Sequence, residues 1–336
     1  MREVNSTELR TAIQGTISLI SCLSFEARSI SVAKVLVGGD LRRWVCILNE
    51  DIETDVSEVR REAEAIAAEA GISIEFLTAS KRNPLRLADA LIGLSEDPAL
   101  ETQDHRWVAY ITTMTHEMLL MMVAAADEIV ERWRDLVLVY NGAGAYSGDD
   151  KPDEKWVSRG IHEVRSVIGY PGAWSPGEPT TLVALPGFDP ERMGRMVEEI
   201  EPDQLIVGIA CPIGDRHAWT ADKNRGIANQ LLQTRKGKTF DYPALDPLGA
   251  VDAVIEALRA VSGNILLAPL NSKISTAALG VLARLRPEWQ ICYAPAFIYN
   301  IKYSIPSEFF LMCSLGAIRE HVASRLDDQK SGDEMK

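Results

Sequence analysis

What most constrains the fold of this chain is a regular alternation of short apolar runs with longer amphipathic ones. Residues 16–23 (TISLISCL), 44–48 (WVCIL), 72–77, 107–111 and 136–140 (LVLVY) are apolar and of strand length. Between them, residues 26–37, 56–70, 84–94 and 117–133 carry apolar side chains at helical spacing. Strands without an exposed face, separated by helices, point to a parallel sheet covered on both sides. Gly71 is a helix stop and Asn83 a helix cap.

The pattern pauses between Gly142 and Thr180, where SGDDKPDEKW and YPGAWSPGEPT are rich in Gly, Pro and charge. Residues 151–180 read as a linker around one amphipathic piece, 157–168. The alternation then restarts. Strands are expected at 181–185, 205–210, 239–242, 265–268 and 290–293, and helices at 190–200, 221–234, 247–261 and 275–285. Asp189 caps the first of these helices with Pro190 at its first position, and Gly263 follows the third. Residues 307–325 read as a terminal helix and 327–336 as a disordered polar tail.

The fold expected is therefore α/β: two tandem Rossmann-like parallel-sheet units with helices on both faces, residues 1–150 and 181–326. The two halves share words. Ser24-Phe25-Glu26-Ala27-Arg28 matches Gly187-Phe188-Asp189-Pro190-Glu191-Arg192, and ITTMTHEMLLMMVAAA matches LAPLNSKISTAALGVLA. Tyr140 with Tyr146-Ser147 matches Tyr293 with Tyr303-Ser304. Internal duplication is the simplest source of such pairs.

Charge and cysteine usage narrow the function. Lys and Arg number 35 against 48 Asp and Glu, a net charge of −13. That excludes a broad basic surface for nucleic acid or anionic membrane, but not a small anionic ligand held by a few local groups. The strongly apolar stretch 118–126 is too short to cross a bilayer, and MREVNSTELR lacks the order of a signal peptide. The five cysteines are scattered without a CxxC pair. Neither a zinc cage nor a disulfide framework is expected, and a reducing cytoplasm is. No metal or cofactor is expected. GxxxxGK[ST], HExxH and GxSxG are absent, and Gly142-Ala143-Gly144 has no helix after it to make a dinucleotide fingerprint.

In open parallel sheets ligands bind beyond the carboxyl ends of the strands, where helix N-termini present N–H groups to anions. The turns there supply the candidate ligand-binding residues. Asn271, Ser272 and Lys273 combine small polar groups with one cation; ordinary capping by Ser272 with a solvated lysine is the competing reading. Thr112, Thr113 and Thr115 precede His116 and Glu117, the weak catalytic candidates. Arg28 and Arg192 oppose the dipoles of their helices. Either the preceding acid pairs with each, or the two face one cleft, with Ser24 and Gly187 allowing close approach. Tyr303 and Tyr146 can stack on a base or pack against the neighbouring half. Asp215-Arg216-His217 is a weaker candidate, and Pro152-Asp153-Glu154-Lys155 reads as charged linker.

The strand-NSK-ISTAALGVLARL-strand-ICYA segment resembles CARF domains, Rossmann-like sensors of cyclic oligonucleotides in prokaryotic antiviral defence. Two such units in one chain resemble SAVED domains, which bind cyclic nucleotides between pseudo-symmetric halves. The resemblance implies that Lys273, with Asn271 and Ser272, meets the ligand. The matching positions of the first half are Thr113, Met114 and Thr115, without a lysine. No nuclease, protease or membrane effector is visible, so the resemblance implies that the effector is a separate partner or that the sites themselves act on the nucleotide; a protein partner or a homo-oligomer is expected.

Three functions stay open. The chain is a nucleotide- or phosphorylated-ligand sensor signalling to a separate effector, an enzyme acting on a nucleotide (a phosphodiesterase or glycosidic hydrolase), or a scaffold subunit of a defence complex.

Overall fold

The computed structural model describes every residue except 51–55, 96–104, 129–135, 147–155, 162, 213–218, 234, 301–303 and 335–336. The chain forms two compact units. One comprises Met1–Lys155 with Asn300–Gly316, the other Trp156–Tyr299 with Ala317–Lys336.

The first unit begins with β1 (Arg2–Val4) and α1 (Ser6–Ala12), which starts at a capping box between Asn5 and Glu8. There follow β2 (Thr16–Leu23), α2 (Ser31–Leu36), β3 (Leu41–Asn49), α3 (Ser57–Ala70), β4 (Ser73–Ala79), α4 (Leu85–Ser95), β5 (His105–Tyr110), α5 (His116–Glu128), β6 (Val137–Tyr140) and β7 (Ala143–Tyr146). Gly71 ends α3 in the left-handed conformation at φ 66°, which its missing Cβ permits.

The second unit contains β8 (Ser158–Ile161), β9 (Arg165–Pro171), β10 (Thr180–Leu185), α6 (Pro190–Ile200), β11 (Gln204–Cys211), α7 (Trp219–Leu232), β12 (Gly237–Pro243) and α8 (Pro247–Leu258). It continues with β13 (Asn264–Pro269), α9 (Lys273–Leu285), β14 (Gln290–Tyr293) and β15 (Ala296–Tyr299). The chain then adds β16 (Ser304–Pro306) and β17 (Phe310–Ser314) to the first unit, and α10 (Leu315–Glu334) follows.

The first sheet runs β1-β17-β6-β5-β2-β3-β4 and the second β12-β11-β10-β13-β14-β9. Numbering the parallel strands of each unit from its first, both have the order 3-2-1-4-5. This is the doubly wound Rossmann order, in which the chain reverses direction between strands 1 and 4. Right-handed crossovers then place the helices of the two directions on opposite faces. The fold is α/β and Rossmann-like in both units, as the alternation predicts.

The central strands explain why periodicity is so clear. Seven of the eight residues of β2 are buried, and Trp44 of β3 is fully enclosed with its Nε1 donating to Ser21 Oγ at 2.8 Å. In the second unit, α9 is buried from Ile274 to Ala283 without interruption. Its alanines and Gly280 let it pack closely, as a helix without a polar face must.

Four features differ from the sequence reading. Residues 151–180, expected as linker, contribute β8 and β9; β8 pairs with β15, and β9 closes the second sheet antiparallel to β14. Val167 and Tyr170 of β9 are buried while their neighbours are not, so this edge strand shows neither a continuous apolar run nor a regular alternation. Within 307–325, expected as one helix, residues 310–314 form β17, antiparallel to both β1 and β6. Phe310–Ser314 is apolar enough for either state, and long-range pairing decides it. That pairing places residues 300–316 with the first unit, so the unit expected at 181–326 is not contiguous in sequence. In the span 327–336, expected as a disordered tail, α10 continues to Glu334.

Candidate functional site

Strand order brings the sequence-marked turns together in pairs. In the first unit the turn after β2 carries Ser24 and Arg28, and the turn after the adjacent β5 carries Thr112, Thr113 and Thr115. In the second, Gly187 and Arg192 follow β10, and Asn271, Ser272 and Lys273 follow the adjacent β13. Each pair flanks the point where the winding direction reverses, the place such sheets use for ligands.

The two places differ in how their polar groups are engaged. In the first unit, Arg28 is 4% exposed; its Nε pairs with Glu26 Oε2 at 2.5 Å and its Nη1 donates to Asn141 O at 3.2 Å. Thr113 Oγ1 donates to Cys22 O at 2.6 Å, tying the β5 turn to β2. Thr112 Oγ1 accepts from Asn141 N at 2.7 Å, and Thr115 Oγ1 caps α5 by accepting from Met118 N at 3.1 Å. Ser24 O accepts from Ser29 Oγ at 3.4 Å. Thr112 and Thr113 thus staple strand ends, Thr115 caps a helix, and Arg28 takes the acid-paired arrangement. His116 and Glu117 are both buried in the first turn of α5. As successive helical residues they project about 100° apart.

Tyr110, the last residue of β5, donates its hydroxyl to Arg28 O at 2.7 Å. Burial pushes its pKa from 10 up to about 12. The folded value lies above the unfolded one, so this stabilisation is complete below pH 10 and disappears as pH rises through 12. The gap corresponds to a contribution on the order of a few kcal/mol. Urea denaturation should show that Tyr110→Phe removes part of the loss of stability between pH 9.5 and 12; an unchanged alkaline profile would rule Tyr110 out as its source.

In the second unit the turns approach more closely. Leu270 N donates to Leu185 O at 2.9 Å, and Gly187 lies at φ +57°. A Cβ at Gly187 would sit 2.9 Å from Leu270 O and 3.0 Å from the Cα of Asn271, so only glycine lets the two turns touch. Asp189 caps α6 through Arg192 N at 3.3 Å and also accepts from the Ser158 hydroxyl. Ser272 caps α9, accepting from Ser275 N at 3.0 Å, and its hydroxyl donates to Ala244 O. Lys273 is the first residue of α9 and is half-buried.

Arg192 is 5% exposed. Its Nη1 lies 3.6 Å from Asp189 Oδ2, and its guanidinium carbon sits over the Tyr293 ring, 5.0 Å from the centroid. Burial opposes the charged form, but Tyr293, Tyr299 and Asp189 outweigh it and hold the pKa above the ordinary arginine value. Nε has no hydrogen-bond partner. Tyr293 ends β14, and β13 lies between β10 and β14. The side chain therefore reaches from the start of α6 across the carboxyl end of β13.

Tyr242, near the end of β12, was not among the residues the sequence singles out. It is 1% exposed, and burial raises its pKa. Its ring lies over Gly208 of β11, and its hydroxyl stands beside Asn271 and Ser275 without a hydrogen bond of normal geometry to either. A tyrosine at a strand end carries no sequence signal that its hydroxyl lacks a partner. Asn224 of α7 is similar: Nδ2 donates to Ala210 O at 2.9 Å, while the buried Oδ1 accepts nothing.

Tyr303, Ser147, Asp215, Arg216, His217 and residues 152–155 lie outside the described residues. Among the described residues, no group of three His, Cys, Asp or Glu side chains is placed to hold a metal ion, and no helix is long and apolar enough to cross a membrane.

No family model and no curated protein matches the chain. A solved structure of the cytoplasmic domain of a prokaryotic cation chloride cotransporter is similar at 8% identity, over 86% of this chain and 98% of that one. Its TM-score of 0.27 is too low to carry an argument about fold or function.

Proposed function

We propose that this chain recognises a nucleotide or another small phosphorylated ligand at the carboxyl edge of its second sheet and signals its presence to a separate protein partner. One observation carries the reading: buried hydrogen-bond donors without partners, Arg192 Nε and the Tyr242 hydroxyl, border the reversal point between β10 and β13. Buried polar groups are nearly always paired, so an unpaired donor at a ligand-binding position is matched by an acceptor on a ligand. The N-termini of α6 and α9 and the Lys273 charge favour an anion there. The common strand order supports the internal duplication as the origin of the two units.

Chemical denaturation of the full chain tests the reading. A matching ligand at a hundred times its Kd should raise stability by about 2.7 kcal/mol. The double variant Arg192→Ala, Lys273→Ala should lose that increment, and mass spectrometry of denatured native protein should find the ligand only in the wild type. A folded double variant that retains the ligand would overturn the assignment.

A further inference from the structure

We infer that the group received at this site is a terminal phosphate monoester rather than the internal diester of a cyclic or linear oligonucleotide. The inference rests on the proposed ligand site and adds the chemistry of what enters it.

Two buried donors come to the end of β13 from different elements. Arg192 comes from α6 and crosses the end of β13 to reach Tyr293; Tyr242 comes from β12 over Gly208, with its hydroxyl beside Asn271 just after β13. The glycine turn at 187 brings the backbones after β10 and β13 into contact. Both donors are at least nine-tenths buried, and Arg192 Nε and the Tyr242 hydroxyl are both unpaired.

A diester phosphate has a carbon substituent on each of two sides and presents one negative charge on two free oxygens. To satisfy donors this deeply enclosed, it would have to draw both substituents into the protein. A monoester has one substituent and three free oxygens and is largely dianionic near neutral pH. Its end can enter while the rest of the ligand stays outside. Three oxygens suit the Nε–H edge of a guanidinium, a phenolic O–H and a helix N-terminus together. Asp189, 3.6 Å from Arg192 Nη1, restrains the guanidinium without occupying Nε.

Phosphorus NMR titrations of the full chain with methyl phosphate, dimethyl phosphate and acetate separate the cases. Methyl phosphate should broaden and shift saturably, dimethyl phosphate at the same concentration should not, and acetate should compete at least tenfold more weakly. Arg192→Lys keeps the charge but loses the forked donor geometry and should weaken methyl phosphate binding by roughly tenfold or more. Tyr242→Phe should weaken it by roughly threefold or more without lowering the melting temperature, because the hydroxyl removed is unpaired. That second variant keeps the test intact if Arg192→Lys fails to fold. Equal, Arg192-dependent binding of dimethyl phosphate overturns the monoester and leaves the anion site standing. Equal competition by acetate overturns the choice of phosphate. No saturable binding of any probe, or binding indifferent to both variants, overturns this inference and the site together.

Discussion

Gly187→Val should lower stability by about 3 kcal/mol and weaken phosphate binding by roughly thirtyfold or more. The residue sits at φ +57°, where a β-branched side chain is strained. Its Cβ would also meet backbone atoms of Leu270 and Asn271 at 2.9 and 3.0 Å, and backbone cannot move aside as a flexible side chain can. The turns after β10 and β13 would separate, and Asn271 would shift away from the Tyr242 hydroxyl. Denaturant melts and a methyl phosphate titration measure the two effects. Wild-type stability together with wild-type affinity would show that close approach of these turns is not required.

Glu26→Ala should cost about 3 kcal/mol in the first unit and leave phosphate affinity unchanged. It removes the carboxylate 2.5 Å from the Nε of Arg28, a guanidinium only 4% exposed. The charge then keeps its desolvation penalty with less to offset it, and Arg28 also anchors the end of β6 through Asn141 O. Glu26→Leu with Arg28→Met removes both charges and should recover much of the loss, a double-mutant cycle that isolates the pair. A loss below about 1 kcal/mol for the single variant would place the pair among the weakly contributing surface bridges.

These variants also separate two arginines that look alike in sequence. Both follow a strand, a phenylalanine and an acid at the start of a helix. Arg28 closes onto Glu26 and the β6 end; Arg192 is restrained by Asp189 and Tyr293 but keeps Nε unpaired. The word SFEAR or GFDPER specifies the acid and the cation and not which guanidinium atoms find partners. That depends on where β6 and β14 deliver Asn141 and Tyr293. The same limit applies to Tyr242, whose hydroxyl is conspicuous only once Asn271 and Ser275 are placed beside it.

Local chemistry was legible where a few neighbouring residues settle it. Asp189 with Pro190, Ser272 and Gly71 act at helix ends as their types require. The buried parallel strands were legible too, because enclosure on both faces demands an unbroken apolar run. Strands β9 and β17 were not. The first lies at a sheet edge with two buried residues at irregular spacing, and the second takes its conformation from Leu311 meeting Tyr140 and Glu3, far away in the chain.

Periodicity and end-capping thus establish two runs of alternating strands and helices and the turns at their strand ends, since both arise from interactions within about a turn of helix or a single strand. Which strands lie side by side, where residues 300–316 belong, and which buried donors remain without acceptors follow only from the assembled sheets. Those outcomes depend on contacts between residues that are neighbours in space alone, and a hydrogen bond is made or missed over distances of a few tenths of an ångström that no residue order encodes locally.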